Sequence, residues 1–226
     1  MSTPNPKRVL FEQFAAVAKA AAHPLRLEIL EQLAQGERSV EVVASKTRVP
    51  IANASQHLQQ MRRAGLVAAR RDGKFILYRL ADDTVLDLFA ALRRIAEAQS
   101  AEVERVVRGY FHDRDSLEAV SREALRERLK DGLVTVLDVR PEDEFALGHL
   151  PGAINIPLSA LEKRLAELDP AQEIVAYCRG PYCVMSFEAV ALLRARGFKI
   201  RRLEDGLPEW RAAGLPVEQG SSRSPA

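Results

Sequence analysis

Cysteine is nearly absent: the 226 residues hold two, Cys178 and Cys183. That excludes a disulfide scaffold, and in a reducing cytosol so close a pair reads as reactive rather than structural. Long apolar runs are missing too. None approaches the roughly 18 uninterrupted residues of a membrane span, and the polar start Met1 to Arg8 has no signal-peptide core or cleavage site. The expectation is a cytoplasmic protein without a membrane partner. Compositional bias is also lacking, with 47% hydrophobic and 28% charged residues, 12 Gly and 12 Pro. Collagen, low complexity and wholesale disorder are excluded. At roughly 100 to 200 residues per domain, the length allows one large domain or two small ones.

The net charge of +2 conceals a division. Residues 1–112 carry 17 Lys and Arg against 12 Asp and Glu, whereas residues 113–226 carry 16 against 19. Between Lys46 and Arg79 eight basic residues face one acid, Asp72. A stretch so basic suits a polyanion partner, although a solvated basic face has the same composition.

The basic half reads as helices followed by a hairpin. Leu10, Phe14, Val17 and Ala21 mark an amphipathic helix. Pro24 opens a second, with Leu25, Ile29, Leu30 and Leu33 at helical spacing until Gly36. A short third fits Ser39 to Lys46, with Val40, Val43 and Ala44 inward. The next runs from Pro50 to Ala64 and stops at Gly65, with Ile51, Ala54, Leu58 and Met61 on one narrow apolar stripe. Opposite lie Asn53, Gln56, Gln60 and Arg63, whose amide and guanidinium forks match adenine and guanine edges in the major groove. Two strand-like runs then flank a turn at Asp72-Gly73, a strong hairpin signal, and Arg70, Arg71 and Lys74 at its tip suit phosphate contact.

The order of these helices, with Ser55-Gln56-His57-Leu58, Ala64-Gly65-Leu66-Val67, the basic hairpin and Tyr78-Arg79-Leu80, resembles the winged helix-turn-helix of ArsR-type transcriptional repressors over about residues 8–108. The resemblance implies a DNA-reading set of Asn53, Ser55, Gln56, His57, Gln60, Arg63, Arg70, Arg71 and Lys74. His57 sits between the polar and apolar faces, so a partly buried histidine is the other reading; the resemblance favours DNA. A long helix from Asp83 to Arg108, with Val85, Leu88, Leu92, Ile95, Val103 and Val106 apolar, is too long for so small a domain to cover. In the resembled family this helix and the N-terminal one build a symmetric dimer, implying a homodimer on a palindromic operator of double-stranded DNA. The family's metal-sensing thiolates would fall in Ser39-Val40-Glu41-Val42-Val43, which has no cysteine, and the long helix has no histidine before its end. No metal and no cofactor are expected.

After a junction at residues 109–116, the acidic half alternates β-rich runs, Leu133 to Val139 and Ile174 to Tyr177, with helical patterns. That implies a mainly parallel sheet covered by helices on both faces. The overall expectation is two domains, a mainly α winged helix over 1–110 and an α/β domain over 111–226. Sites in such sheets form beyond strand C-termini. Cys178 ends one strand, and Arg179-Gly180-Pro181-Tyr182-Cys183 loops into a helix from Val184 to Arg196. Loop and helix amides facing an anion there would lower a thiolate's pKa, making Gly180, Tyr182 and Val184 the anion-binding positions. A buried inert thiol is the plainer alternative.

Leu137-Asp138-Val139-Arg140, Glu144-Phe145, the Gly148 to Pro157 segment, Tyr177-Cys178-Arg179-Gly180, Gly206 to Trp210 and Gly214 to Val217 together resemble a rhodanese domain over about residues 117–218. The resemblance implies that Cys178 accepts sulfane sulfur as a persulfide and passes it to a nucleophile, with Asp138 and His149 as scaffold. One position departs from the pattern. Active sulfurtransferases of this type commonly hold an anionic donor with Arg, Lys or Ser five residues after the cysteine, where Cys183 stands. Arg179 is the remaining candidate for that charge. Val184 occupies the arginine position of related phosphatase and arsenate-reductase loops, which disfavours oxyanion ester chemistry. The catalytic set is therefore Cys178, Arg179 and Cys183, with Cys183 resolving a persulfide or sulfenate on Cys178. Cys183 is expected on the loop's far side, so that bridging would require the loop to change shape.

These readings converge on a DNA-binding repressor whose rhodanese-like half senses reactive sulfur or oxidant. Two alternatives stand beside it: a working sulfurtransferase with an autoregulatory DNA-binding half, and a degenerate rhodanese module that docks a partner protein.

Overall fold

The computed structural model describes residues 5–112, 115 and 119–220. Residues 113, 114 and 116 of the expected junction lie outside that set, as do residues 1–4 of the polar start. The chain divides into two compact units, Met1–Ala91 and Leu92–Ala226, a division that falls earlier than the 110/111 boundary expected from sequence.

In the first unit, α1 (Pro6–Ala21) begins where the Asn5 side chain accepts from the Lys7 amide. Helix α2 (Pro24–Ala34) has proline in its first turn, and the His23 ring accepts from the Leu25 amide, satisfying an amide the helix leaves without a partner. Strand β1 (Arg38–Ser39) leads into α3 (Val40–Thr47), capped by Ser39. A turn through Arg48, in the left-handed conformation at φ 56°, joins it to α4 (Ile51–Arg63). Strands β2 (Val67–Asp72) and β3 (Phe75–Leu80) pair antiparallel, and β1 pairs with β3, giving the order β1-β3-β2. The two-residue strand β1 is too short to have signalled itself in the sequence. Because Asp72 pairs with Phe75, the turn residues are Gly73 and Lys74, one position beyond the expected Asp72-Gly73. Gly73 takes φ 58° there, a conformation in which a side chain is strained.

The core of this unit joins Ile29, Leu30 and Leu33 of α2, Val43 and Ala44 of α3, Ala54, Leu58 and Met61 of α4, and Tyr78 and Leu80 of β3. Ile51, expected in the α4 stripe, is exposed instead, since it occupies the first helical position, where the chain has only just turned from Pro50. On α1 the inward face is Val17, Ala20 and Ala21. Leu10, Phe11 and Phe14 remain 55%, 55% and 61% exposed.

Helix α5 (Thr84–Gln99) runs unbroken across the division between units. The single helix expected from Asp83 to Arg108 is not formed. Ser100 leaves helical geometry at φ −105°, ψ 109° and caps α6 (Ala101–Val106), its hydroxyl accepting from the Val103 amide. A serine side chain competes for backbone amides in this way, which favours a new start over continuation. A π-helical turn follows over Val107–His112.

The rest of the second unit is an α/β layer structure: α7 (Arg122–Lys130), β4 (Val134–Asp138), α8 (Glu142–Leu147), β5 (Ile154–Asn155), α9 (Leu158–Leu161), β6 (Glu173–Tyr177), α10 (Val184–Ala195), β7 (Ile200–Arg202) and α11 (Leu207–Ala212). The four strands lie in the order β5-β4-β6-β7, all pairs parallel. Alternation along β6 sends Ile174, Ala176 and then Cys178 to one core, with Val190 and Leu193 of α10. Val175 and Tyr177 go to the other, with Leu125, Phe145, Leu207 and Trp210. Both sheet faces are therefore buried, and near-continuous apolar strands are the consequence. No described helix is long and apolar enough to cross a membrane.

Candidate functional site

Two groups of residues carry candidate chemistry, one in each unit. On α4, Gln56, Gln60 and Arg63 are exposed, and Asn53, Ser55 and His57 are half-buried, on a helix whose Ala54, Leu58 and Met61 are fully enclosed. Ser55 Oγ accepts from Gln59 Nε2 at 3.3 Å. Gln60 Oε1 accepts from Arg26 Nη1 at 2.9 Å. The His57 ring centroid lies 4.8 Å from that of His23, and its Nδ1 is enclosed with no hydrogen-bond partner among the described residues. Burial, then the fields of His23 and Arg26, hold the His57 pKa below the usual histidine value.

The wing distributes its charge unevenly. Arg70 Nε lies 2.8 Å and Nη2 2.5 Å from Glu37 Oε2, and Nη1 lies 3.3 Å from Asp72. Arg70 is thereby held by two carboxylates, an arrangement hidden from sequence because Glu37 lies 33 residues away. Arg71 donates to the Gly73 carbonyl at 3.0 Å, and Lys74 stands 5.2 Å from the Phe75 ring centroid; both lie at the exposed turn.

In the second unit, β6 delivers Cys178 to the end of the sheet and the chain turns sharply before α10. The Cys183 amide donates to the Gly180 carbonyl at 3.1 Å, and Cys183 is the N-terminal capping position of α10. This turn folds Cys183 back over Cys178: their Cα atoms are 6.1 Å apart and their sulfurs are joined in a disulfide. The expectation of a Cys183 held away until the loop changes shape is corrected, because the separation is already within the range a bridge requires. Cys178 is buried and Cys183 nearly so, while Tyr182 and Val184 are exposed and Gly180 is half-buried.

Arg179, the remaining candidate for the anion clamp, pairs with Glu144. Its Nε and Nη2 lie 2.9 and 2.7 Å from the two carboxylate oxygens of Glu144, which is fully buried. The charge expected to serve an anionic donor is here paired with a carboxylate.

Behind the loop, Arg140 and Asp138 form a fully buried pair with Nη2 and Oδ2 2.5 Å apart, and Arg140 also donates to the Gly148 carbonyl. Burial opposes the guanidinium charge, but Asp138 outweighs it and the Arg140 pKa stays raised. His149 stacks on Phe145 with centroids 3.6 Å apart and contacts its carbonyl through Nδ1. Asp138 and His149 are thus both buried and held by neighbours in the same unit.

The loop also rests on residues that sequence reasoning missed. A Cβ on Gly206 would overlap the Arg179 carbonyl carbon and the Gly180 nitrogen, and the Leu207 amide donates to the Cys178 carbonyl at 3.3 Å. Glu209 closes this turn, its Oε2 accepting from the Gly206 amide at 3.1 Å. Burial raises its pKa. The Gly-x-x-Glu spacing of a capping box was the available signal for Glu209. On the other side, the Tyr182 hydroxyl donates to Glu97 Oε1 at 2.8 Å. Burial and then this bond push the Tyr182 phenol up to about 12. Nothing in the sequence links residues 85 positions apart. Among the described residues, no three His, Cys, Asp or Glu groups converge as a metal site.

Comparison with known proteins agrees with this division. The rhodanese-like domain family matches residues 121–213 and a helix-turn-helix domain family matches residues 21–70. The chain is 46% identical over 215 residues to the HTH-type transcriptional regulator Rv0324 of Mycobacterium tuberculosis, covering 95% of this chain and 94% of that protein. A sulfurtransferase of Allochromatium vinosum is 31% identical over 100 residues, 43% of this chain and 92% of its own. Among solved structures, the homodimeric winged helix-turn-helix DNA-binding domain of Mb0332 from Mycobacterium bovis is 40% identical, covers 45% of this chain and 94% of its own, and superposes with a TM-score of 0.41.

Proposed function

Since the chain belongs to the transcriptional regulators that join an ArsR-like helix-turn-helix to a rhodanese-like domain, we propose that it is a repressor whose affinity for its operator follows the sulfur chemistry of Cys178 and Cys183. The observation that carries this reading is the placement of Cys183. It occupies the position of the donor-holding residue, its Cα lies 6.1 Å from that of Cys178, and the two are bridged, while Arg179 is committed to Glu144. A loop arranged in this way suits a small effector bearing sulfane sulfur better than an anion that needs a cationic clamp.

The DNA-reading surface is the α4 face of Asn53, Ser55, Gln56, His57, Gln60 and Arg63, with Arg71 and Lys74 on backbone phosphates. Arg70 acts mainly by fixing the wing to Glu37. Assembly is a homodimer, supported by the exposed apolar side chains of Leu10, Phe11 and Phe14 on α1 and, separately, of Leu92 and Ile95 on α5.

Mass spectrometry of both cysteines after polysulfide, peroxide or thiosulfate treatment, paired with DNA binding by the same samples, tests the reading. A second reading, a working sulfurtransferase, draws on the relative of that name. Turnover of thiosulfate with cyanide supports this second reading, and its absence favours the repressor.

A further inference from the structure

Within the second unit, the Cys178 loop is held from two sides by residues of the C-terminal half of α5. On one side, Tyr182, the neighbour of Cys183, donates to Glu97 Oε1 at 2.8 Å. On the other, Gly206 seats against Arg179 and Gly180, and its amide is held by Glu209. The Glu209 Oε1 in turn lies 3.9 Å from Arg93 Nη1, and Arg93 Nε lies 3.5 Å from Glu97. Arg93 and Glu97 are four apart and so share one helix face. The two routes from the loop therefore end on a single pair of side chains. Aromatic packing reinforces the first route: the Phe111 ring lies 5.1 Å from Tyr182 and 4.7 Å from Phe187 of α10.

We propose that Arg93 and Glu97 are positioning residues through which helix α5 registers whether Cys178 and Cys183 are bridged. The inference rests on the reading of this loop as a sulfur sensor, and it names the element that receives the signal. Helix α5 is continuous from Thr84 to Gln99, so a change in how its C-terminal turns are held acts on a single helix. Coupling between sites needs such an element, with an equilibrium that the effector biases.

The chemistry that changes the bond is balanced with a hydropersulfide as oxidant. The Cys178 thiolate attacks the terminal sulfur of RSSH, forming a Cys178 persulfide and releasing RSH. The Cys183 thiolate then attacks Cys178 Sγ, and hydrosulfide leaves. The net change is two protein thiols plus RSSH giving the disulfide, RSH and H2S, the sulfane sulfur taking the two electrons. Reduction by a dithiol reverses the bridge, with the dithiol becoming a cyclic disulfide. Opening removes the constraint on the Cα separation, and Tyr182, next to Cys183, would carry any resulting change in the loop to Glu97.

The test is hydrogen exchange of the full-length protein, bridged with sodium tetrasulfide or reduced with dithiothreitol, the bridge being verified by mass as the loss of two hydrogens. Exchange across Leu92–Gln99 should differ between the states by about fivefold or more in the wild type. An Arg93→Ala, Glu97→Ala double variant should still form the bridge yet lose most of that difference. Glu97→Gln, which keeps an acceptor for Tyr182, should retain it. The proposal is overturned if the wild type shows no difference over this segment, or if the double variant keeps it. DNA affinity is measured separately on a duplex enriched from a random pool by the reduced protein. Affinity that depends on the bridge without an exchange difference overturns this inference and leaves the sensing reading standing. An exchange difference without an affinity change supports the inference and overturns sensing.

Discussion

Arg179 and Glu144 form a two-pronged ion pair, with contacts of 2.9 and 2.7 Å, and the carboxylate has no exposure to solvent. The residue next to Cys178 is thus anchored to α8, and its charge is matched inside the protein. Glu144→Gln removes the buried carboxylate that pairs with Arg179 in a largely enclosed place and should lower unfolding stability by about 3 kcal/mol. A further Arg179→Met change should recover a substantial part of that loss, since removing both charges is tolerated far better than removing one. Urea unfolding of the single and double variants checks this.

Gly206 is required by space rather than by backbone freedom. Its φ of −115° is ordinary, but any Cβ meets the Arg179 and Gly180 backbone. Gly206→Ala should therefore cost about 1 to 3 kcal/mol by overpacking and slow bridge formation between Cys178 and Cys183. Thermal unfolding and timed thiol counting measure the two effects.

For the proposed DNA surface, Gln56→Ala should reduce discrimination between operator and random duplex by about 1 to 3 kcal/mol. Arg71→Ala should weaken all sequences alike and lower the salt slope by about one phosphate contact. Arg70→Ala should change the salt slope less than Arg71→Ala, because Arg70 is already held by Glu37 and Asp72. Titrations at several salt concentrations separate the three outcomes.

His57 contributes to the acid side of the stability profile. Its folded pKa is lowered, by burial first and then by His23 and Arg26, so below about 6.5 the unfolded chain takes up the proton more readily. The contribution is complete above that value and is lost as pH falls from there through the folded pKa. His57→Gln should flatten the acid side of the stability profile. An unchanged profile in that variant would place the acid sensitivity elsewhere.

Much of the fold was legible because its signals are local. Pro24, Ser39 and Gly65 mark helix ends, and alternating burial on β6 follows from strand geometry. The break at Ser100 was missed because the apolar spacing continues through it, and periodicity alone cannot see a serine that caps a new helix. The cysteines and the amide face of α4 could be read from residue type and order. Glu144, Glu97 and Arg93 could not, because they act through contacts with residues distant in sequence. The same limit hid the bridge: spacing gives a loop, but the turn from Gly180 to Cys183 sets the distance.

Oligomeric state bears on the proposed assembly. Phe14→Glu or Leu92→Glu puts charge on exposed apolar side chains that the proposed dimer would bury, and sedimentation at micromolar concentration should then report monomers where the wild type is a dimer. A monomeric wild type would contradict the proposed assembly.

The central claim is tested most directly by the affinity of the full-length protein for its operator duplex, measured with Cys178 and Cys183 reduced and again after tetrasulfide has bridged them. The prediction is a change of about 5- to 150-fold between the two states, absent in Cys178→Ser, which stays at the affinity of the reduced wild type. Equal affinities in the two wild-type states, or a Cys178→Ser protein that answers tetrasulfide as the wild type does, would contradict it.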